Sequence, residues 1–240
     1  MKCILLSAGK GKRLMPLTKL TPKCLLSISS TNLMEYWLKK IKLIGFEEII
    51  INTHHLSEIL ISEIELISKK LNINNIRIVH ETSLLGTAGT LWSIKDTINS
   101  DFMVINTDVY AEINLELMID TFNKNNQKCL LAYDYRNDTH GCGIITLLED
   151  GFIEKFIEKK HDNKPGYVYS GILIFSNQIF TDLPFKDYIE VNYHGLDTGF
   201  HVLPKIIGNI NSFKIAGKVI DLRDKYKLKE LRTYFIKNNL

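Results

Sequence analysis

Short apolar runs alternate with helical periodicities through the first half of the chain. Cys3-Ile4-Leu5-Leu6, Ile49-Ile50-Ile51, Ile76 to His80 and Phe102 to Asn106 predict strands. The isoleucine run is apolar at successive positions, hence on both faces, which predicts a central strand of a parallel sheet. Between the first two runs, Leu33, Met34, Trp37, Leu38 and Ile41 fall on one helical face. Asn32 is placed to cap that helix with Glu35 returning to it, and Gly45 to end it. A second amphipathic helix is predicted from about Ser57 to Leu71. This strand–helix alternation predicts a doubly wound α/β sheet.

From Gln127 onward the pattern changes. Cys129 to Tyr133, Gly143 to Leu148, Phe152 to Ile157 and Tyr167 to Phe175 predict successive strands, with Glu149-Asp150-Gly151 as a turn. Helix returns at Val202, Leu203, Ile206 and Ile207, followed by one strand running from Phe213 through Ile220 to Asp221 and a closing helix from Asp224 to about Lys237. The expected organisation is one domain over 1–240, with a strand–helix part to about residue 126 and a second, strand-rich part with the closing helices beyond it. The chain shows no repeat and no low-complexity tract, and Lys160 to Gly166 reads as a polar loop.

Composition narrows the chemistry. The 240 residues suffice for a substantial core, and a formal net charge of +3 suggests no broad basic face for nucleic acid. Cys3, Cys24, Cys129 and Cys142 are widely spaced, and no run of about 20 apolar residues suggests a membrane span. Reduced thiols in a cytoplasmic protein, without a membrane partner, are therefore expected. His54-His55 is the only close histidine pair, and its spacing does not suit a helical zinc site.

Candidate chemistry concentrates in Ser7 to Lys23. Ala8, Gly9 and Gly11 follow the first strand and let backbone N–H groups face an anion, while Lys10, Lys12, Arg13 and Lys23 add positive charge. The stretch contains neither G-x-x-x-x-G-K-S/T nor G-x-G-x-x-G. A second small-residue turn, Leu85-Gly86-Thr87-Ala88-Gly89-Thr90, opens a helix and suits a polar ligand or close packing on the sheet. Asp108 lies just beyond the strand ending at Asn106, where α/β sheets collect ligands; a metal ligand and a turn residue are both consistent with that position.

The compound pattern A-G-x-G-x-R-L, Pro16-Leu17-Thr18, Pro22-Lys23 resembles the sugar-1-phosphate nucleotidyltransferases, whose motif runs GGxGTRLxPLTxxxPK at the same spacing. The departures are Ala8 and Lys12. The resemblance extends from Lys2 to about Tyr226 and implies a Rossmann-like doubly wound mixed sheet with a smaller strand-rich sugar-binding lobe. Leu85 to Gly89 matches a family segment lying against the nucleotide base, implying that Gly86 and Thr87 bind nucleotide. Thr107-Asp108 matches the family N-G/S-D, whose aspartate binds catalytic Mg²⁺. Asp221-Leu222-Arg223-Asp224 stands where the family has D-I/T-G-T, which implies Asp221 as second metal ligand with Asp224 as a competitor. Phe156 to Lys160 matches F-x-E-K-P except that Lys160 replaces proline, implying Glu158 on a sugar hydroxyl and Lys159 on the sugar phosphate. Gly143 matches a Y-G-V element against the sugar, and Ser170 lies in a small triplet facing it.

The reaction implied is attack by a sugar 1-phosphate oxygen on the α-phosphorus of a nucleoside triphosphate, with pyrophosphate leaving. The nucleophile is already anionic, so catalysis is alignment and charge neutralisation. Arg13 is implied on the β- and γ-phosphates and Lys23 near the α-phosphate. Glu81 offers a carboxylate to guanine N1–H and its exocyclic amine, where uracil or thymine presents one ring N–H. With the LGTAG segment it is most similar to the mannose-1-phosphate and heptose-1-phosphate guanylyltransferases, which implies GTP. Cytidylyl, uridylyl or thymidylyl transfer and a catalytically silent nucleotide-sugar sensor are the alternatives. A glycosyltransferase D-x-D is not present at Thr107 to Tyr110. The family commonly assembles into dimers or larger oligomers, so a homodimer is among the arrangements the resemblance allows.

Overall fold

The computed structural model describes residues 1–124, 128–158, 164–182 and 195–239. The chain folds as an α/β protein with a mixed, mostly parallel central sheet and a small second sheet, in two compact units. The first comprises 1–82, 105–112 and 217–240; the second comprises 83–104 and 113–216.

In the first unit, β1 (Lys2–Leu6), β2 (Ile49–Thr53) and β3 (Ile76–His80) are parallel neighbours, with Leu6 opposite Asn52 and Thr53 opposite His80. Every residue of β2 is buried, as its unbroken apolar run predicts. Helix α1 (Leu33–Lys42) starts at Asn32, whose side chain accepts the Glu35 N–H at 2.9 Å. The expected returning carboxylate is not seen: Glu35 instead pairs with Lys39 at 2.9 Å and with Lys70 of α2 (Ser57–Leu71) at 2.8 Å. Two nearby ammonium groups attract a buried carboxylate more strongly than one backbone N–H.

Four strands of the second unit follow the order β10 (Ile210–Lys214), β6 (Cys129–Arg136), β9 (Gly166–Phe175), β4 (Phe102–Asn106), with β10 parallel and β9 antiparallel to β6. The hairpin β7 (Ile144–Leu147) and β8 (Ile153–Ile157) joins β9 through β7. Phe102 stacks on Phe180 with ring centres 5.4 Å apart and meets Phe175 at 5.7 Å. These contacts anchor the start of β4, along which the chain passes from one unit to the other.

Two further expectations need correction. The helix predicted around Val202 to Ile207 is a π-turn over Thr198–Val202 followed by a 3₁₀ turn over Leu203–Lys205, because Pro204 cannot donate to a continuing α-helical ladder. The single strand from Phe213 to Asp221 is two strands. The first is β10; the second, β11 (Val219–Asp221), is antiparallel to β5 (Val109–Ala111) in the small second sheet. Gly217 lies at the break, where a Cβ would come 2.5 Å from Glu112 Cβ.

Candidate functional site

The glycine turn leaves β1 and enters three 3₁₀ turns, Lys12–Leu14, Leu17–Lys19 and Lys23–Leu25, in place of one regular helix. Gly11 has φ +59° and packs on Thr18, whose hydroxyl donates to the Gly11 carbonyl at 2.9 Å. His55 Nε2 lies 2.9 Å from the Thr18 carbonyl, tying the turn to the segment after β2. Ala8 is buried, and Arg13 is exposed with no ion pair among the described residues.

Lys23 reaches across this turn to Asp108: Nζ lies 2.5 Å from Oδ2, with the lysine side chain 14% exposed. Asp108 precedes β5, and β11 places Asp221 opposite Val109 while the Leu222 N–H donates to the Asp108 carbonyl at 2.8 Å. The two predicted metal ligands are therefore backbone neighbours on paired strands. The backbone of β5 is held by Trp37 Nε1, donating to the Val109 carbonyl at 2.8 Å, and by the Tyr36 hydroxyl, donating to the Ala111 carbonyl at 2.6 Å. Leu222 and Ile220 sit in an apolar cluster with Leu14, Leu228, Leu231 and Phe235, which fixes β11 from the other side.

Asp224 has a different task. Its Oδ1 accepts the N–H groups of Tyr226 at 2.8 Å and Lys227 at 2.9 Å, capping the C-terminal helix Lys225–Asn238. Among the described residues no group of three or more His, Cys, Asp or Glu side chains is placed to cage a metal. Mg²⁺ takes one or two protein carboxylates and completes its shell with substrate phosphates and water, so Asp108 and Asp221 are a donor set of the kind it uses.

Glu81 is 3% exposed at the end of β3. Its N–H donates to the Thr53 carbonyl at 2.8 Å, its carbonyl lies 2.9 Å from His54 Nδ1, and its Oε1 accepts from Asn52 Nδ2 at 2.7 Å. Sequence reasoning missed Asn52 and both histidines. The available signal was a polar Asn-Thr-His-His run directly after an apolar strand, at the end where ligands gather.

The second unit holds the other predicted residues. Gly86, with φ +81°, caps helix α3 (Thr87–Ser93); a Cβ there would strike the Leu196 carbonyl, which accepts the Ala88 N–H at 2.9 Å. Thr87 Oγ1 accepts the Thr198 N–H at 2.7 Å. Gly143 and Gly199 both bring bare backbone against Glu158, since a Cβ on Gly143 would stand 2.7 Å from Glu158 Oε2 and one on Gly199 closer still. Ser170 is buried, and its hydroxyl donates to Asp134 Oδ1 at 2.6 Å, a carboxylate also held by Arg136 at 2.8 and 2.9 Å. Lys159 lies outside the described residues. All four cysteines are buried and none is in a disulfide, and burial pushes the Cys24 thiol up to about 12. Among the described residues no helix is long and apolar enough to cross a membrane.

Comparison with known proteins gives the family and the fold. The chain is 28% identical over 239 residues to the bifunctional protein GlmU of Methanococcus aeolicus, covering 99% of this chain and 55% of that protein. It is 26% identical over 188 residues to the mannose-1-phosphate guanylyltransferase catalytic subunit beta of Drosophila melanogaster, covering 77% and 51%. The chain thus spans about half the length of the curated relatives it matches. Among solved structures, HddC from Yersinia pseudotuberculosis superposes with a TM-score of 0.79 at 22% identity, over 98% of this chain and 99% of that one. A UDP-glucose pyrophosphorylase complexed with UDP-glucose gives 0.79 at 21% identity, over 99% and 98%. These likenesses concern the fold. The family model described as nucleotidyl transferase matches residues 2–215, and the chain belongs to that family.

Proposed function

We propose that the protein joins a sugar 1-phosphate to GTP, releasing pyrophosphate and forming a nucleotide-diphosphate sugar. The observation that supports the reading is the Lys23–Asp108 ion pair, with the β5–β11 pairing setting Asp221 opposite Val109, the residue after Asp108. The glycine turn offers backbone donors, and among the described residues nothing beyond its chain neighbours lies within 4 Å of where a Gly9 side chain would be, so its missing Cβ leaves room for phosphate oxygens. Arg13 is available for the β- and γ-phosphates, and Lys23 exchanges its carboxylate partner for the α-phosphate. Asp108 and Asp221 are the residues that would hold Mg²⁺, which would neutralise phosphate charge and orient the leaving group. Glu158 receives a sugar hydroxyl against the bare backbone of Gly143, and Lys159 takes the sugar phosphate. No side chain acts as nucleophile; the residues align two anions and offset their repulsion.

The choice of GTP rests on Glu81. Glu81 is a buried carboxylate held on Oε1 by Asn52, and a carboxylate can accept two N–H groups side by side, which guanine presents and uracil or thymine does not. Relatives named mannose-1-phosphate guanylyltransferases, 25–29% identical to this chain, support the same base. The test is pyrophosphate release with each nucleoside triphosphate, Mg²⁺ and a panel of sugar 1-phosphates. GTP is expected to be fastest, with chelation stopping release and Lys23→Ala lowering kcat roughly 10²- to 10³-fold, the scale of losing one positioned charge. Faster turnover of CTP, UTP or dTTP would refute the base assignment. Nucleotide-sugar binding without turnover would identify a sensor instead.

A further inference from the structure

The carboxylate of Glu81 is aimed by a side chain with no assigned role. Asn52 is the penultimate residue of β2, and its amide oxygen and nitrogen meet different partners. Oδ1 accepts the Ser7 N–H at 2.6 Å, and Nδ2 donates to Glu81 Oε1 at 2.7 Å. The Ser7 hydroxyl also donates to the Asn52 carbonyl at 2.5 Å, so the two residues are joined twice. Because a backbone N–H can only donate, Ser7 forces the asparagine oxygen towards itself and the NH₂ towards Glu81. His54 and Thr53 hold the backbone of Glu81 at the same time, so residues 52–54 together set where its carboxylate points.

We infer that Asn52 is a positioning residue for base selection, coupling the start of the triphosphate turn at Ser7 to the base-reading carboxylate of Glu81. This rests on the reading of Glu81 as the base reader. Asparagine suits the position because it alone among residues of its size offers one acceptor and one donor on opposite sides of a planar group. Aspartate would still accept from Ser7 but would set two carboxylates about 2.7 Å apart, where like charges repel and Glu81 either turns away or takes up a proton.

The experiment compares wild type, Asn52→Asp and Asn52→Ala with GTP and with ITP, which lacks the exocyclic amine. Circular dichroism and thermal melting establish that each variant is folded, and Asn52→Ala, which introduces no charge, serves if Asn52→Asp is not. For Asn52→Asp the KM for GTP is expected to rise roughly ten- to hundredfold, the range for a lost hydrogen bond to a charged group. The preference for GTP over ITP should collapse, while the KM for the sugar 1-phosphate stays at the wild-type value. A merely structural role would raise both KM values together. Folded variants that keep the wild-type KM for GTP and the wild-type GTP-to-ITP ratio would overturn the inference. Failure of the guanylyl reading shows separately, in the wild type, as faster turnover of a pyrimidine triphosphate. Asn52 is then judged on that triphosphate and stands only if its KM alone rises in Asn52→Asp.

Discussion

Gly9 and Gly11, two positions apart in the same turn, are glycine for different reasons. Gly11 needs a positive φ and would drive a Cβ to 2.8 Å from the Thr18 methyl, so the protein itself demands it. Gly9 meets no such demand among the described residues, and in the proposed function its bareness leaves room for a phosphate. Gly143 is a third case, since its Cβ would stand 2.7 Å from Glu158 Oε2 and 2.8 Å from Phe156 Cζ. Gly143→Ala is therefore expected to displace the Glu158 carboxylate and lower kcat/KM for the sugar 1-phosphate on the order of 10²-fold, by misplacing one contact. The KM for the nucleoside triphosphate should not change. Steady-state kinetics with each substrate varied in turn checks this, and a rise in both KM values would refute it. The motif spacing made the glycines legible in the sequence; their separate reasons were not, because Thr18, Phe156 and Glu158 arrive from other parts of the chain.

At the scale of elements, α1 and the C-terminal helix do more than cover the sheet. Trp37 and Tyr36 bond the carbonyls on either side of Tyr110 in β5, and Leu228, Leu231 and Phe235 pack with Ile220 of β11. The position of Asp108 relative to Asp221 thus depends on both helices. Asp224→Ala removes the cap of the C-terminal helix and is expected to cost about 1 kcal/mol, visible as a fall in Tm of about 2–4 °C, with turnover nearly intact. Asp221→Asn should do the reverse, abolishing turnover while Tm changes little. Melting curves beside pyrophosphate release separate the two, and an inactive Asp224→Ala at unchanged Tm would make Asp224 the metal ligand. Periodicity predicted the long helices well, because each buries one face. It missed the division of β10 from β11, because both halves are apolar and only their partners differ.

At the scale of the whole molecule, stability should depend on pH through carboxylates that folding holds ionised. Burial pushes the Glu112 carboxyl up, yet the Tyr234 hydroxyl, the Lys218 N–H, the Tyr110 hydroxyl and the Lys40 charge together hold it below its ordinary value. Glu35, despite its own burial, is held low by Lys70 and Lys39; Glu48 is held low chiefly by its hydrogen bond to Arg77. A depressed folded pKa contributes stability that is present above the unfolded value, about 4.3 for glutamate, and is lost as pH falls through the folded value. The Tm is expected to hold from neutral pH down to about 5 and then to fall steadily on further acidification. Glu112→Gln should lower Tm at pH 7 and show a shallower acid limb. An acid limb as steep as the wild type's would exclude Glu112 from the linkage.

The sequence by itself determined the strand–helix order, the glycine turn, the carboxylates and cations of the candidate site, and the family resemblance. These are carried by local spacing, and local spacing is set by the geometry of one helix face or one strand. Only the tertiary structure decided that Lys23 rests on Asp108, that Asp224 is a cap, and that Asn52 stands between Ser7 and Glu81. Each of these is a pairing of atoms whose partners are set by strand register and helix docking. Lys23 and Asp108 are 85 residues apart, and Asn52 is 45 from Ser7 and 29 from Glu81. A donor and an acceptor carry no mark in the sequence of which partner they will meet; the close-packed core chooses by leaving each buried polar group one place where it is satisfied.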